Sequence, residues 1–136
     1  MADQSGREYY ERWELLNSYS GCMLGNPALS VLADAYIKGI RTYDAEKAYR
    51  YAVNTSRRFG NDSLGYAPEP LSISTTLEYA YTDWCISQLA KAMGKEDDAK
   101  CFYEKGQAYH SIFDKEKGWF LSLIHISEPT RLALIS

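Results

Sequence analysis

The chain has 136 residues, 46% hydrophobic and 24% charged, with a net charge of −3. That is enough for one small domain with one core, and the balance is wrong for a disordered segment. It lacks the basic excess with which nucleic-acid binders neutralise phosphates, and no apolar run approaches the roughly 20 residues of a membrane span.

The N-terminal stretch MADQSGREYYERW has no charged-then-apolar leader pattern. The first predicted helix lies in GNPALSVLADAYIKG, residues 25–39. Asn26 suits its N-cap and Pro27 its first turn, where a missing N–H goes unmissed. Ala28, Leu32, Ala35 and Tyr36 share one face, and Gly39 suits a left-handed C-terminal cap. A second helix is predicted from the cap Asp44 to Gly60, with Ala48, Tyr51, Ala52 and Thr55 inward and Arg57 and Arg58 at the negative pole of the dipole.

Residues 61–74, NDSLGYAPEPLSIS, carry Gly65, Pro68 and Pro70 and predict the longest irregular segment. The third helix starts at a Thr75–Glu78 capping box, carries a stripe of Leu77, Tyr81, Trp84, Cys85, Leu89, Ala92 and Met93, and ends at Gly94. The fourth opens with Glu96, Asp97 and Asp98 and buries Ala99, Phe102, Tyr103, Gly106, Tyr109 and Phe113, before DKEKGW turns the chain.

The fold class is therefore all-α: two helix pairs separated by a loop. This organisation fits either an α-solenoid of the tetratricopeptide type or part of an α/α toroid. Twelve Tyr and three Trp are either helix-packing rings with hydroxyls at the surface or a sugar-stacking surface. Cys22, Cys85 and Cys101 are odd in number and widely spaced, so they indicate neither a zinc site nor a disulfide framework, and Cys85 and Cys101 read as core thiols.

No nucleophile elbow, phosphate loop or His-Glu-x-x-His is present. His110 reads as a surface residue, and neither it nor His125 has a partner at metal-ligand spacing. Asp34 in VLADAY and Asp83 in AYTDWC are both flanked by apolar residues, and each is a candidate for a buried, hydrogen-bonded acid.

The order of motifs adds what periodicity cannot. RWELLNSYSGCMLGNPALSVLADAYIKGI, then DAEKAY, then SISTTLEYAYTDWCISQLAKAMGKEDDA and FDKEKGWF, from about Arg12 to Phe120, resemble segments of glycoside hydrolase family 92. The resemblance implies an inverting, exo-acting α-mannosidase, calcium-dependent, built from an N-terminal β-sandwich and a catalytic (α/α)6 toroid. It implies mannose-containing glycans as substrates and a periplasmic or extracellular location. The family's acid and base motifs, of the T-E-G-N-x-W and G-N-D-D-x-G types, do not occur in this sequence, and its calcium ligands lie in those later segments. No catalytic residue and no metal ligand is therefore carried over. Arg12 and Trp13 match the family's Arg-Trp near the sugar pocket, and Tyr66 lies in a loop on the cleft side. Trp and Tyr faces stack on pyranose rings and Arg donates to vicinal hydroxyls, so these three are the substrate-binding candidates; packing of the loop is the alternative for each.

LSLIHISEPTR, residues 121–131, departs from the family pattern and resembles the translation of a transposase sequencing adapter, codon for codon. The alternative is an edge strand over Leu121–Ile126 ended by Pro129. Residues 1–120 are expected to be a piece of the toroid, inactive alone, and residues 121–136 a non-native tail. The rival class is a tetratricopeptide-like, non-enzymatic module that presents a groove to a peptide.

Overall fold

A computed structural model describes Gln4 and residues 6–15, 18–61, 65–67 and 72–120. Among these residues four α-helices run in chain order: α1 (Pro27–Ile37), α2 (Ala45–Arg58), α3 (Ser72–Ala92) and α4 (Glu96–Gly106). A 3-10 turn, Ala108–Ser111, follows α4. Two antiparallel hairpins of two-residue strands are added to the helices: β1 (Glu14–Leu15) with β2 (Ser18–Tyr19), and β3 (Phe113–Asp114) with β4 (Trp119–Phe120). The fold is all-α, two helix pairs, as the sequence implies.

Local chemistry accounts for most of the boundaries. Pro27 opens α1. Gly39 closes it at φ +88°, and the Ile40 N–H returns to the Ala35 carbonyl at 2.9 Å. Asp44 caps α2 by accepting the Lys47 N–H at 3.0 Å. Asp114 holds the second hairpin by accepting the Glu116 and Lys117 N–H groups.

α3 is the central helix, packed on α1, α2, α4 and the 3-10 turn. The core joins Leu29 and Ala33 of α1, Tyr49, Ala52 and Val53 of α2, Cys85, Ile86, Leu89 and Ala90 of α3, and Phe102 of α4. Each large side chain so buried contributes roughly 1.5–3 kcal/mol. Gly106 lets α4 approach the α3 backbone closely: a Cβ there would lie 3.0–3.2 Å from Trp84 Cβ, Cα and N.

Several expectations are corrected here. α3 begins at Ser72, so Thr75 and Glu78 form no capping box; Thr75 and Thr76 are buried inside the helix. Of the α3 stripe, Cys85 and Leu89 are in the core and Met93 packs against it, whereas Tyr81 and Trp84 are exposed and Ala92 is at the surface; Thr76, Tyr79, Ala80, Thr82, Ile86, Ser87 and Ala90 are buried as well. A helix gripped from several sides buries small side chains such as Ala80, Ala90 and Ser87 at its contacts beside Tyr79, Ile86 and Leu89. On α1 the fully buried positions are Leu29 and Ala33, one step round from Ala28 and Leu32. Asn26 makes no side-chain cap; its amide Nδ2 donates to the Phe59 carbonyl at 2.8 Å. α4 ends at Gly106, and Cys101 and Tyr103 face solvent.

The helix pairs alternate in direction, which gives the molecule two unlike ends. At one end lie the short Gly39 and Gly94 turns, clamped by a Lys95–Glu46 ion pair at 2.9 Å and by the Tyr49 hydroxyl donating to Asp98 at 2.8 Å. At the other lie the starts of α1 and α3, the ends of α2 and α4, and the irregular segments. Asn26 bonds the Phe59 carbonyl there, Asn61 the Thr76 carbonyl, and Ser111 the Gly65 carbonyl.

Candidate functional site

All three sequence candidates sit at this second end. The β1–β2 hairpin carries Arg12 and Trp13 at its base, where Ser20 N–H bonds the Trp13 carbonyl at 3.0 Å and Gly21 N–H the Arg12 carbonyl at 3.3 Å. Arg12 is part-buried: its Nη1 donates to the Met23 carbonyl at 3.2 Å and its guanidinium lies 5.5 Å from the Phe59 ring centre. Trp13 stands 52% exposed on a left-handed backbone, φ +53°. An aromatic residue rarely adopts that conformation. Met23 and Leu24 are exposed beside this turn.

Tyr66 is held separately, half-buried in segment 65–67. Gly65 turns the chain at φ +81°, and its carbonyl accepts the Ser111 hydroxyl at 2.9 Å. Ala67 N–H bonds Thr76 Oγ1 at 2.9 Å. Arg12 and Trp13, neighbours in the chain, sit by the end of α2, and Tyr66 sits between the start of α3 and the 3-10 turn.

Two acids that look alike in sequence part company. Asp34 is exposed and pairs with Lys38 at 2.8 Å one helical turn on. Asp83 is 2% exposed, and the Ser56 hydroxyl donates to it. Burial pushes the Asp83 carboxyl up to about 6, against the opposing pull of the Ser56 hydrogen bond and the Lys105 charge. Burial likewise raises the Cys85 thiol, and burial with the Asp98 hydrogen bond raises the Tyr49 phenol. Asp83 lies between α2 and α3, inside the helix packing. His110 is exposed, its ring 4.1 Å from that of Tyr109. Residues 121–136, His125 included, lie outside the described residues.

Ser20 and Glu11 are two residues of this end that no sequence motif marks. Ser20 lies in SYSGC with no motif to mark it. The Glu11 carboxylate is 4% exposed and paired with Arg7, and only the i, i+4 spacing pointed to that pairing. The buried Oδ1 atoms of Asn26 and Asn61 have no hydrogen-bond partner among the described residues. Among those residues no three His, Cys, Asp or Glu side chains group as metal ligands. None of their helices is long and apolar enough to cross a membrane.

Residues 1–123 match the glycosyl hydrolase family 92 catalytic domain. The chain is 37% identical to a family GH92 α-mannosidase from Bacteroides thetaiotaomicron, with a TM-score of 0.78 over 87% of this chain and 17% of that one. A structure of the same enzyme in complex with mannoimidazole gives 36% identity and a TM-score of 0.79 over the same shares. An inverting mannosidase of the family, from Bacteroides thetaiotaomicron VPI-5482, gives 33% identity and a TM-score of 0.74 over 88% of this chain and 18% of that one. An uncharacterized secreted glycosidase of Arthroderma benhamiae is 28% identical over 122 residues, 71% of this chain and 16% of that protein. The chain thus spans about a sixth of the length of these relatives.

Proposed function

The chain belongs to glycosyl hydrolase family 92, and from that premise we propose that it forms two helix pairs of the catalytic toroid of an inverting, exo-acting α-mannosidase. The substrates are terminal α-mannosides of glycans. The observation that carries this reading is the 37% identity to a GH92 α-mannosidase across 87% of the chain. The complex of that enzyme with mannoimidazole supports a mannose-shaped ligand. The secreted relative supports a location outside the cytoplasm, periplasmic or extracellular.

Inversion needs a carboxylic acid on the leaving oxygen and a carboxylate that activates water on the opposite face of the sugar. We assign neither role, and no calcium ligand, to a residue of this chain. The calcium that the family resemblance implies would supply binding and distortion of the terminal mannose, and it would be held by residues outside this chain. The part assigned to this chain is recognition. Trp13 offers its half-exposed ring to the apolar face of the pyranose, Arg12 donates to vicinal hydroxyls, and Tyr66 lines the cleft from the α3 side. By itself the chain does not turn over mannosides. Residues 121–136 we read as an adapter-derived tail; resequencing the source DNA without transposase chemistry should remove LSLIHISEPTR, and its persistence would overturn that reading.

The functional test is a graft. Residues 1–120 replace the matching segment of the Bacteroides α-mannosidase, and hydrolysis of an aryl α-mannoside is followed with and without calcium. The graft should retain calcium-dependent turnover while the 136-residue chain alone shows none. In the graft, Trp13→Ala should raise KM roughly ten-fold with little change in kcat, as expected when a stacking contact shared by ground and transition states is lost. Turnover by the chain alone, or a folded graft without activity, would refute the assignment.

A further inference from the structure

Trp13 combines a left-handed backbone with a carbonyl that one neighbour bonds twice. Ser20 approaches the Trp13 carbonyl twice: its N–H at 3.0 Å and its hydroxyl Oγ at 2.6 Å both donate to that oxygen. The N–H bond is what a hairpin supplies as the next rung beyond Glu14↔Tyr19. The hydroxyl bond is additional, and the backbone alone does not require it. A left-handed φ of +53° on a large aromatic residue persists only where its surroundings over-determine it. The same conformation leaves the indole half in solvent beside Arg12, whose own side chain is tied to Met23.

We propose that Ser20 is a positioning residue for sugar binding: its hydroxyl locks the Trp13 carbonyl and so fixes the indole as a stacking platform for a pyranose ring. This rests on the reading of Trp13 as a sugar contact and adds to it the residue that sets the geometry. A platform that is already in place loses little conformational freedom on binding, so the lock shows itself in affinity and leaves the chemical step alone. The Ser20 hydroxyl also lies 3.5 Å from the Cys22 Sγ, a weaker contact that leaves the Trp13 carbonyl as its principal acceptor.

The test has two arms. In the first, the 136-residue chain is labelled with 5-fluorotryptophan, and its three 19F resonances, from Trp13, Trp84 and Trp119, are assigned with Trp→Phe variants. Ser20→Ala should shift or broaden the Trp13 resonance and leave the other two in place, and Ser20→Thr, which keeps the hydroxyl, should restore it. In the second, the same substitutions are made in the grafted mannosidase. Ser20→Ala should raise KM about three- to ten-fold, the scale of one ordinary hydrogen bond, with kcat unchanged, and Ser20→Thr should recover most of it. A Trp13 resonance unmoved by Ser20→Ala overturns the lock. A resonance that moves without any change in KM overturns its role in binding. If Trp13→Ala itself leaves KM unchanged, the sugar-site reading of Trp13 fails, and the resonance arm still decides whether Ser20 holds the ring.

Discussion

Burial lifts the Asp83 carboxyl from its ordinary 3.8 to about 6, so the folded chain holds this proton more tightly than the unfolded one. The associated stability is fully present below about pH 3.8 and is lost as pH rises towards 6. The loss amounts to about 3 kcal/mol for a side chain this deeply buried. The urea midpoint should fall between pH 4.5 and 7.5, and Asp83→Asn should flatten that slope and raise the midpoint at pH 7.5. An unchanged slope in the variant would assign the pH effect elsewhere. Asp34 and Asp83 have the same kind of apolar neighbours in sequence, yet one is paired with Lys38 at the surface and the other is bonded to Ser56 in the interior. A flanking residue reports which helix face a side chain is near, and only the position of a second helix decides whether that face is covered. The same limit hid Ser20, whose partner lies seven residues back across a hairpin.

At the scale of the helix, Asp44, Pro27 and Gly39 were legible because their chemistry is local, whereas Asn26 and the Thr75–Glu78 pair are no caps because Asn26 is drawn to Phe59 and α3 starts at Ser72. Asp44, Pro27 and Gly39 act within four residues of themselves. Asp44→Ala should cost about 1 kcal/mol and speed amide exchange in the first turn of α2. On α3 hydrophobicity alone does not mark the covered face: Thr76, Thr82 and Ser87 are buried with their hydroxyls satisfied inside the helix or by Ala67, while Tyr81 and Trp84 lie outside. One close contact of this helix involves a residue with no side chain. Gly106→Ala should push α4 away from the Trp84 backbone, destabilise the chain by about 1–3 kcal/mol in urea and weaken the α3–α4 contact first. Hydrogen exchange that rose equally in all four helices would contradict that order.

Across the whole molecule, the division into two helix pairs followed from turn signals, and the family from motif order; where the candidates converge did not follow from either. Arg12, Trp13 and Tyr66 share one end because alternating helices return the chain there, a property of packing and not of any segment. The described surface also carries exposed apolar residues, Val31 and Ile37 on α1 and Tyr81, Trp84 and Tyr103 on α3 and α4. Apolar surface of this kind favours association. Sedimentation of the 136-residue chain should show a mass that rises with concentration, and Tyr81→Glu with Tyr103→Glu should suppress it. A monomer at all concentrations would show that these rings are tolerated in water.

α3 touches every other helix, whereas α1 and α2 touch each other only slightly. On the ribosome this has a consequence. The first pair emerges with Leu29, Ala33, Tyr49 and Val53 ready to be covered and with little to cover them until α3 follows. α3 and α4, joined by three residues, then close a short loop at small entropic cost. Within this segment the early helices are therefore the ones that wait, and the interval between synthesis of α2 and α3 leaves their apolar faces open to misassembly.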